Sequence, residues 1–138
     1  MKAPLYDDIL AICQEIANAS NTDNDELRLV NCKKLQVLCA TNQGSPKDHP
    51  LQWEALADFT EDGEQAMDIY EVALATADKL SLPTFTASAY LAMALRHVEF
   101  EDNDQALIFA NKANDAAQTI DSEELKTEIT EILAELSQ

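Results

Sequence analysis

Residues 64–81, EQAMDIYEVALATADKLS, recur in altered form at residues 104–121, DQALIFANKANDAAQTID. The two stretches align without a gap at an offset of 40 residues and both open with acid-Gln-Ala. Their matched apolar positions are Ala66/Ala106, Ala73/Ala113, Ala77/Ala117 and Leu80/Ile120. Repetition at a period of this size is typical of stacked supersecondary units rather than of one irregular globule.

Composition indicates that these units are helical. The chain has 138 residues, of which 46% are hydrophobic, with only two glycines and four prolines. Such usage favours long helices, because Ala, Leu, Glu and Gln lose little freedom in a helix. No run alternates β-branched and polar residues as a strand would. Helical spacing predicts an all-α fold of about seven antiparallel helices, at about residues 4–19, 24–40, 51–60, 64–80, 83–100, 104–119 and 122–138.

The helices are expected to stack in pairs within a single domain spanning residues 1–138. We divide that domain into an N-terminal pair (1–42), a loop (43–50), repeat 1 (51–82), repeat 2 (83–120) and a capping helix (121–138). The loop contains Gly44, Pro46 and Pro50 and is the clearest break in the chain. The last helix carries one narrow apolar stripe, as expected of an element that covers the end of a repeat array.

Two local patterns give further structural predictions. Asp23 with Glu26, and Asp121 with Glu124, have the spacing of N-terminal capping pairs. In helix 4, the predicted inward face consists of Ala66, Ile69, Tyr70, Ala73, Ala77 and Leu80. In helix 2, apolar residues cover most of the circumference, which predicts burial between neighbours on several sides.

The chain is strongly and unevenly acidic. Its net charge is −17, with seven acids against five bases in residues 1–50 and nineteen against four in residues 51–138. This field repels nucleic-acid phosphate and anionic lipid and attracts basic partners. A purely solubilising role for the same charge is the alternative reading.

The cysteines and the N-terminus favour a cytoplasmic location. Cys13, Cys32 and Cys39 are an odd number without the spacing of a disulfide framework, so we expect buried free thiols in a reducing compartment. The first eight residues include Asp7 and Asp8 and lack a long apolar stretch, so we do not predict a signal peptide there. No apolar run approaches the length of a membrane span.

The repeated region resembles the tetratricopeptide-repeat family. In repeat 2, Tyr90, Met93, Ala94 and His97 stand where the family favours Trp, Leu, Gly and Tyr on the first helix, and Ala106, Ala110 and Ala113 match the second helix. In repeat 1, Trp53, Leu56 and Ala57 look like the start of a first helix, and Ala66, Tyr70 and Ala73 match the second. The resemblance covers residues 51–120, although the period exceeds the family's usual length of about 34 residues. It implies helix pairs wound into a right-handed superhelix.

The same resemblance implies a binding site for another protein. In this family the first helix of each pair lines a concave groove that holds an extended peptide or a partner helix. The equivalent positions here are Glu54, Asp58, Ser88, Leu91, Leu95 and Glu99. They predict an apolar floor with acidic rims, and therefore an adaptor or chaperone-like module that binds a basic or amphipathic segment of a partner.

The sequence offers little support for catalysis or for a bound cofactor. Neither CxxC nor HExxH spacing occurs, the acid clusters lack the calcium-loop pattern, and two glycines leave no phosphate-binding loop. We therefore predict no enzyme activity, no metal and no cofactor. His97 is expected to be a packed, hydrogen-bonded imidazole. A self-associating structural protein, with a homodimer as one form, and a small-ligand sensor using His97 and Tyr90 remain the alternatives.

Overall fold

The computed structural model describes residues 3–138, and over that range the chain forms helices and no β-strand, which confirms the all-α prediction. The α-helices are α1 (Tyr6–Asn21), α2 (Asp25–Asn42), α3 (Pro50–Asp58), α4 (Gly63–Lys79), α5 (Pro83–Glu99), α6 (Asn103–Ala116) and α7 (Glu123–Leu136). A short 3-10 turn, Ala117–Thr119, continues α6. All observed helix ends lie within a few residues of the predicted ones, as expected for boundaries read from capping and turn residues.

The helices belong to two compact units, which divide within α4 after Ile69. The loop that is the clearest break in the sequence lies inside the first unit, between α2 and α3. The division therefore falls at a place that composition does not mark. The prediction of one domain across the whole chain stays a prediction.

In the first unit, α1, α2 and α3 pack against one another around a small core. Ile9 and Ile16 of α1 and Leu35 of α2 are buried there. The Cys39 thiol, also buried, donates to the backbone carbonyl of Gln52 at 3.3 Å and so joins α2 to α3. Burial raises the pKa of Cys39 to about 12, so this thiol is a packing group rather than a reactive one.

The connection between α2 and α3 is ordered by one carboxylate. Asp48 accepts hydrogen bonds from the backbone N–H of Gly44 at 2.9 Å and from the indole N–H of Trp53 at 2.8 Å. Gly44 has φ +76°, a left-handed conformation that glycine adopts without strain. His49 then caps α3, because its Nδ1 accepts from the backbone N–H of Leu51 at 3.1 Å. The loop is thus a defined connection and not a loose linker.

In the second unit, α5 and α6 make the most extensive contact, and α7 packs against α6 and α5. The core cluster consists of Ala87, Leu91, Ala94, Ala110, Ala113, Ala117, Ile120, Ile129 and Ile132. Alanines supply most of the α5 and α6 positions in it, so the helix axes can approach closely. Ile129 and Ile132 of α7 add the larger side chains that fill the remaining space. The stripe predicted on the last helix is the face that it buries.

The two copies of the repeat, residues 64–81 and 104–121, bury the same alanines but differ in burial at their last apolar position. Ala66, Ala73 and Ala77 of α4 are fully buried, and so are the corresponding residues of α6 and its 3-10 turn. Leu80, however, is 43% exposed, although we predicted it on the inward face, whereas Ile120 is buried. The helix α4 ends at Lys79, so Leu80 lies beyond the regular helical spacing on which that prediction rested.

Three helices end in the same turn, made without glycine. Asp23, Ser81 and Glu101 have φ of 54°, 57° and 59°, and each follows the last turn of a helix. The next N–H in each case bonds to the carbonyl five residues earlier, at 2.8 to 2.9 Å, which is the Schellman arrangement. That next residue is the N-cap of the following helix at each turn. Each of these turns therefore joins two consecutive helices through only three residues.

This turn corrects the predicted capping pairs. Asp23 occupies the left-handed position, and Asn24 is the cap, accepting from the backbone N–H of Leu27 at 3.0 Å. At α7 the cap is Ser122, which accepts from Leu125 at 3.3 Å, and not Asp121. The predicted caps were each one residue early, and at α2 the reason is that the sequence pattern does not register the extra left-handed residue, Asp23, of the Schellman turn.

Replacing Ile129 by alanine should destabilise the protein by about 2–4 kcal/mol, because it removes buried methyl groups and leaves a cavity under α7. Ile108→Ala is the matched control: its side chain, on α6, is exposed, and we expect a change within about 1 kcal/mol. Urea unfolding followed by circular dichroism gives both values. Equal destabilisation by the two substitutions would show that α7 does not cover the core.

The His49 cap should make stability depend on pH. Burial lowers the pKa of His49 from its usual 6.5, and the nearby Asp48 carboxylate only partly opposes this. The unfolded chain therefore binds the proton more readily, so stability is full above pH 6.5 and falls as the pH drops from there towards the lowered pKa.

In His49→Asn, the side chain retains an oxygen that can cap α3 but does not titrate. We expect the wild type to lose stability relative to this variant between about pH 7.5 and pH 5.5, by at most ~1.4 kcal/mol per pH unit. Urea midpoints of both proteins at the two pH values measure the difference. Parallel pH profiles would contradict the assignment.

Candidate protein-binding surfaces

The predicted groove residues on α5 share one stripe of the second unit. Ser88, Leu91, Leu95 and Glu99 are spaced by three or four residues, so they follow one another along one side of the helix. Leu95 is 47% exposed, Glu99 is exposed and Ser88 is half-buried. Leu91 is buried in the core cluster with α6 and α7 and does not present its side chain to solvent.

The two remaining predicted residues belong to α3, in the first unit. Glu54 is half-buried, and Asp58, the last residue of α3, is exposed. Both make interactions within the protein. Their participation in partner binding stays a prediction.

A second exposed apolar residue, which the sequence reasoning did not include, extends the α5 stripe. Val98 is 38% exposed and lies one turn after Leu95. We define the α5 surface as Ser88, Leu95, Val98 and Glu99, together with the exposed Glu101 just after the end of the helix. Four acids, Glu99, Glu101, Asp102 and Asp104, occur within six residues at its C-terminal end, and all are exposed. The α5 surface therefore combines exposed apolar side chains with concentrated negative charge.

Aromatic rings pack between α5 and α6 beside this region. His97 stacks on Phe109 with ring centroids 5.3 Å apart and nearly parallel planes, and Tyr90 stacks on the same ring at 6.3 Å. The ammonium of Lys112 lies 5.2 Å from the Phe109 centroid. Tyr90 and His97, the residues suggested for a ligand pocket, thus share Phe109 as a packing partner.

His97 is packed as expected, but the predicted hydrogen bond is wrong at Nδ1. That atom is buried and has no hydrogen-bond partner within residues 3–138. The nearest carboxylate oxygen is Oδ2 of Asp102, at 4.0 Å. Asp102 instead uses Oδ1 to cap α6, accepting from the backbone N–H of Gln105 at 3.3 Å. One oxygen of the Asp102 carboxylate therefore caps α6, and the other lies beyond hydrogen-bond distance of the His97 imidazole.

A second group of exposed apolar residues lies on α2, in the first unit. Leu29, Val30 and Val37 are 60%, 48% and 52% exposed, and they alternate with Lys33 and Lys34 along one side of the helix. These five residues, which we define as the α2 surface, line an open depression of about 590 Å³. The expectation that α2 is buried on several sides is wrong for this side.

The opposite side of α2 is the one that packs in the first unit. Asn31, Leu35 and Cys39 are buried there, and the Asn31 amide donates to the backbone carbonyl of Leu27 at 3.0 Å. A charge pattern in the sequence could have marked the exposed side. Residues 27–47 contain four bases and no acid, in a chain that has 26 acids in all.

The described residues show neither a metal-binding cluster nor a membrane-spanning helix. In the part of the chain that the structure describes, no three His, Cys, Asp or Glu side chains are grouped so that they could hold a metal ion. None of the helices in residues 3–138 has both the length and the apolar character needed to cross a membrane.

Comparison with known proteins assigns no family. No protein-family model, no curated protein and no solved structure matches this chain.

Proposed function

We propose that the chain is a protein-interaction module, an adaptor or chaperone-like protein that binds a basic or amphipathic segment of a partner. The binding site is the α5 surface. The observation that carries this proposal is that Leu95 and Val98 are exposed beside a group of exposed carboxylates. Exposed apolar side chains rimmed by polar groups are characteristic of sites where another protein docks.

The two components of the α5 surface have different roles in such binding. Leu95 and Val98 give a partner helix two apolar contacts one turn apart, the spacing that an amphipathic helix itself presents. The carboxylates of Glu99 and Glu101 attract a basic segment and accelerate its association, and salt weakens that effect. Apolar contacts therefore provide most of the affinity, and charge provides most of the selectivity.

Overall charge and thiol content support the same kind of partner and location. The net charge of −17 disfavours nucleic acid and anionic membranes as ligands. All three cysteines are free, which supports a reducing, cytoplasmic compartment. The packed positions of Tyr90 and His97 support a binding protein over a small-ligand sensor or an enzyme.

Immobilised protein should retain a basic partner from a lysate of the source organism at about 50 mM salt and release it at about 300 mM. Charge reversal of the α5 surface in Glu99→Lys/Glu101→Lys should abolish retention, because it repels the same segment. The matched control is Glu128→Lys/Glu131→Lys, which makes an equal change of charge at exposed positions of α7 in the same unit. Mass spectrometry identifies what is retained.

The apolar contribution is tested with the captured partner once it is purified. Leu95→Ala should weaken binding about tenfold in isothermal titration calorimetry, as expected when a central interface residue is truncated. Its circular dichroism should remain that of the wild type, since Leu95 lies outside the core cluster.

Unchanged retention by the α5 charge-reversal variant would remove the α5 surface as the binding site.

A further inference from the structure

We propose that the α2 surface of one copy docks on the α5 surface of a second copy, so that the chain is its own partner. This inference rests on the proposed function, because it uses the same α5 surface and names the basic, amphipathic segment that the surface binds. The chain itself contains a helix of that description in α2.

The α2 surface exposes large apolar side chains. Leu29, Val30 and Val37 are each about half exposed or more, and they recur at the spacing of one helix face. A helix with apolar residues on two opposite sides is ordinarily covered on both. Here α1 and α3 cover only the side of Leu35 and Cys39, so the α2 surface is left for another molecule.

The α2 and α5 surfaces carry charges of opposite sign. The α2 surface includes Lys33 and Lys34, and residues 27–47 around it contain no acid. The α5 surface ends in a stretch of six residues that contains four acids. Each surface also presents large aliphatic side chains. Apolar contact and charge complementarity therefore both favour pairing α2 with α5.

Pairing of like surfaces is disfavoured by the same charges. Two α2 helices crossing antiparallel about Lys33 would bring Lys33 and Lys34 of both copies together. Two α5 surfaces would oppose Glu99 and its neighbouring carboxylates. Juxtaposed like charges weaken an interface and exclude such pairings. The α2-to-α5 contact avoids both, either twice in a two-fold dimer or head to tail in a chain.

The α2 surface, which combines apolar side chains with lysines, could also bind an anionic lipid surface. The chain as a whole disfavours it, because a net charge of −17 is repelled by such a surface. A second copy carries the same net charge, but its α5 surface places carboxylates beside exposed apolar side chains that match those of the α2 surface. The test includes vesicles so that the two are distinguished.

Sedimentation equilibrium of the wild type should give a mass above the 15.2 kDa of one copy as its concentration rises from about 5 to 500 µM, the range expected for a small interface. Lys33→Glu/Lys34→Glu should weaken association at least tenfold. Lys79→Glu/Lys126→Glu changes the net charge equally outside both surfaces and should leave association within about twofold of the wild type. Circular dichroism establishes that each variant is folded.

Restoring the charge pair provides the decisive comparison. The variant with Lys33→Glu, Lys34→Glu, Glu99→Lys and Glu101→Lys has the net charge of the wild type and exchanges acids and bases at the substituted positions of the two surfaces. It should associate as the wild type does, although each pair of substitutions alone weakens association at least tenfold. An equimolar mixture of the Lys33→Glu/Lys34→Glu protein and the Glu99→Lys/Glu101→Lys protein should associate as well.

Several outcomes would overturn this inference. One is a wild type that stays monomeric at about 500 µM, and another is a four-residue variant that stays monomeric when the wild type associates. Binding of the wild type to vesicles of anionic phospholipid, lost in the Lys33/Lys34 variant, would assign the α2 surface to lipid instead. Capture of a different basic protein through α5 by a monomeric wild type would overturn this inference and leave the proposed function intact.

Discussion

The close crossing of α5 and α6 at alanine is the constraint on which the second unit depends. Ala87 and Ala94 of α5 and Ala110 and Ala113 of α6 are fully buried, so a larger side chain at these positions would force the helices apart. Such crossings bury little area per residue, so larger side chains must fill the remaining volume around them. Ile129 and Ile132 of α7 and the stacked rings of Tyr90, His97 and Phe109 fill it. The terminal helix is thus part of the packing of the unit.

Short connections make this packing possible with only two glycines in the chain. At Asp23, Ser81 and Glu101 a single left-handed residue ends one helix, and the residue after it caps the next. A left-handed conformation costs a residue with a Cβ about 1 kcal/mol, which the two hydrogen bonds of the Schellman turn offset. Acidic caps such as Asp62 and Asp102, 40 residues apart, then start α4 and α6 in the same way. Part of the negative charge is therefore required by helix termini.

Neither helix capping nor core packing accounts for the remaining charge or for the exposed apolar residues. Leu95 and Val98 could be replaced by polar residues without loss of core packing, and so could Leu29, Val30 and Val37. Residues of this kind, set beside charge of one sign at α2 and of the other sign at α5, fit contacts with a further protein molecule. The two proposals place the selectivity of this chain in charge and its affinity in a few aliphatic side chains. Neither surface requires a bound cofactor or a catalytic group.

Local sequence determined most of the helical structure. The repeated alanines predicted the inward sides of α4 and α6, and Gly, Pro and polar turn residues placed the ends of the helices, because both signals act between neighbours along the chain. The family resemblance placed Leu95 and Glu99 at exposed positions of α5, but Leu91, on the same stripe, is buried. Spacing along one helix cannot separate Leu91 from Leu95, since α6 and α7 decide which of the two is covered.

Tertiary structure decided the exposed surfaces for the same reason. The sequence of α2 is apolar on two sides, and only the positions of α1 and α3 determine that Leu35 is covered and Val37 is not. Leu80 and Ile120 are equivalent in the repeat, yet Ile120 is buried in the cluster with α7 and Leu80 follows the end of its helix. Hydrophobic pattern specifies which residues are able to be buried. Packing between helices distant in sequence selects which of them are buried and which stay exposed.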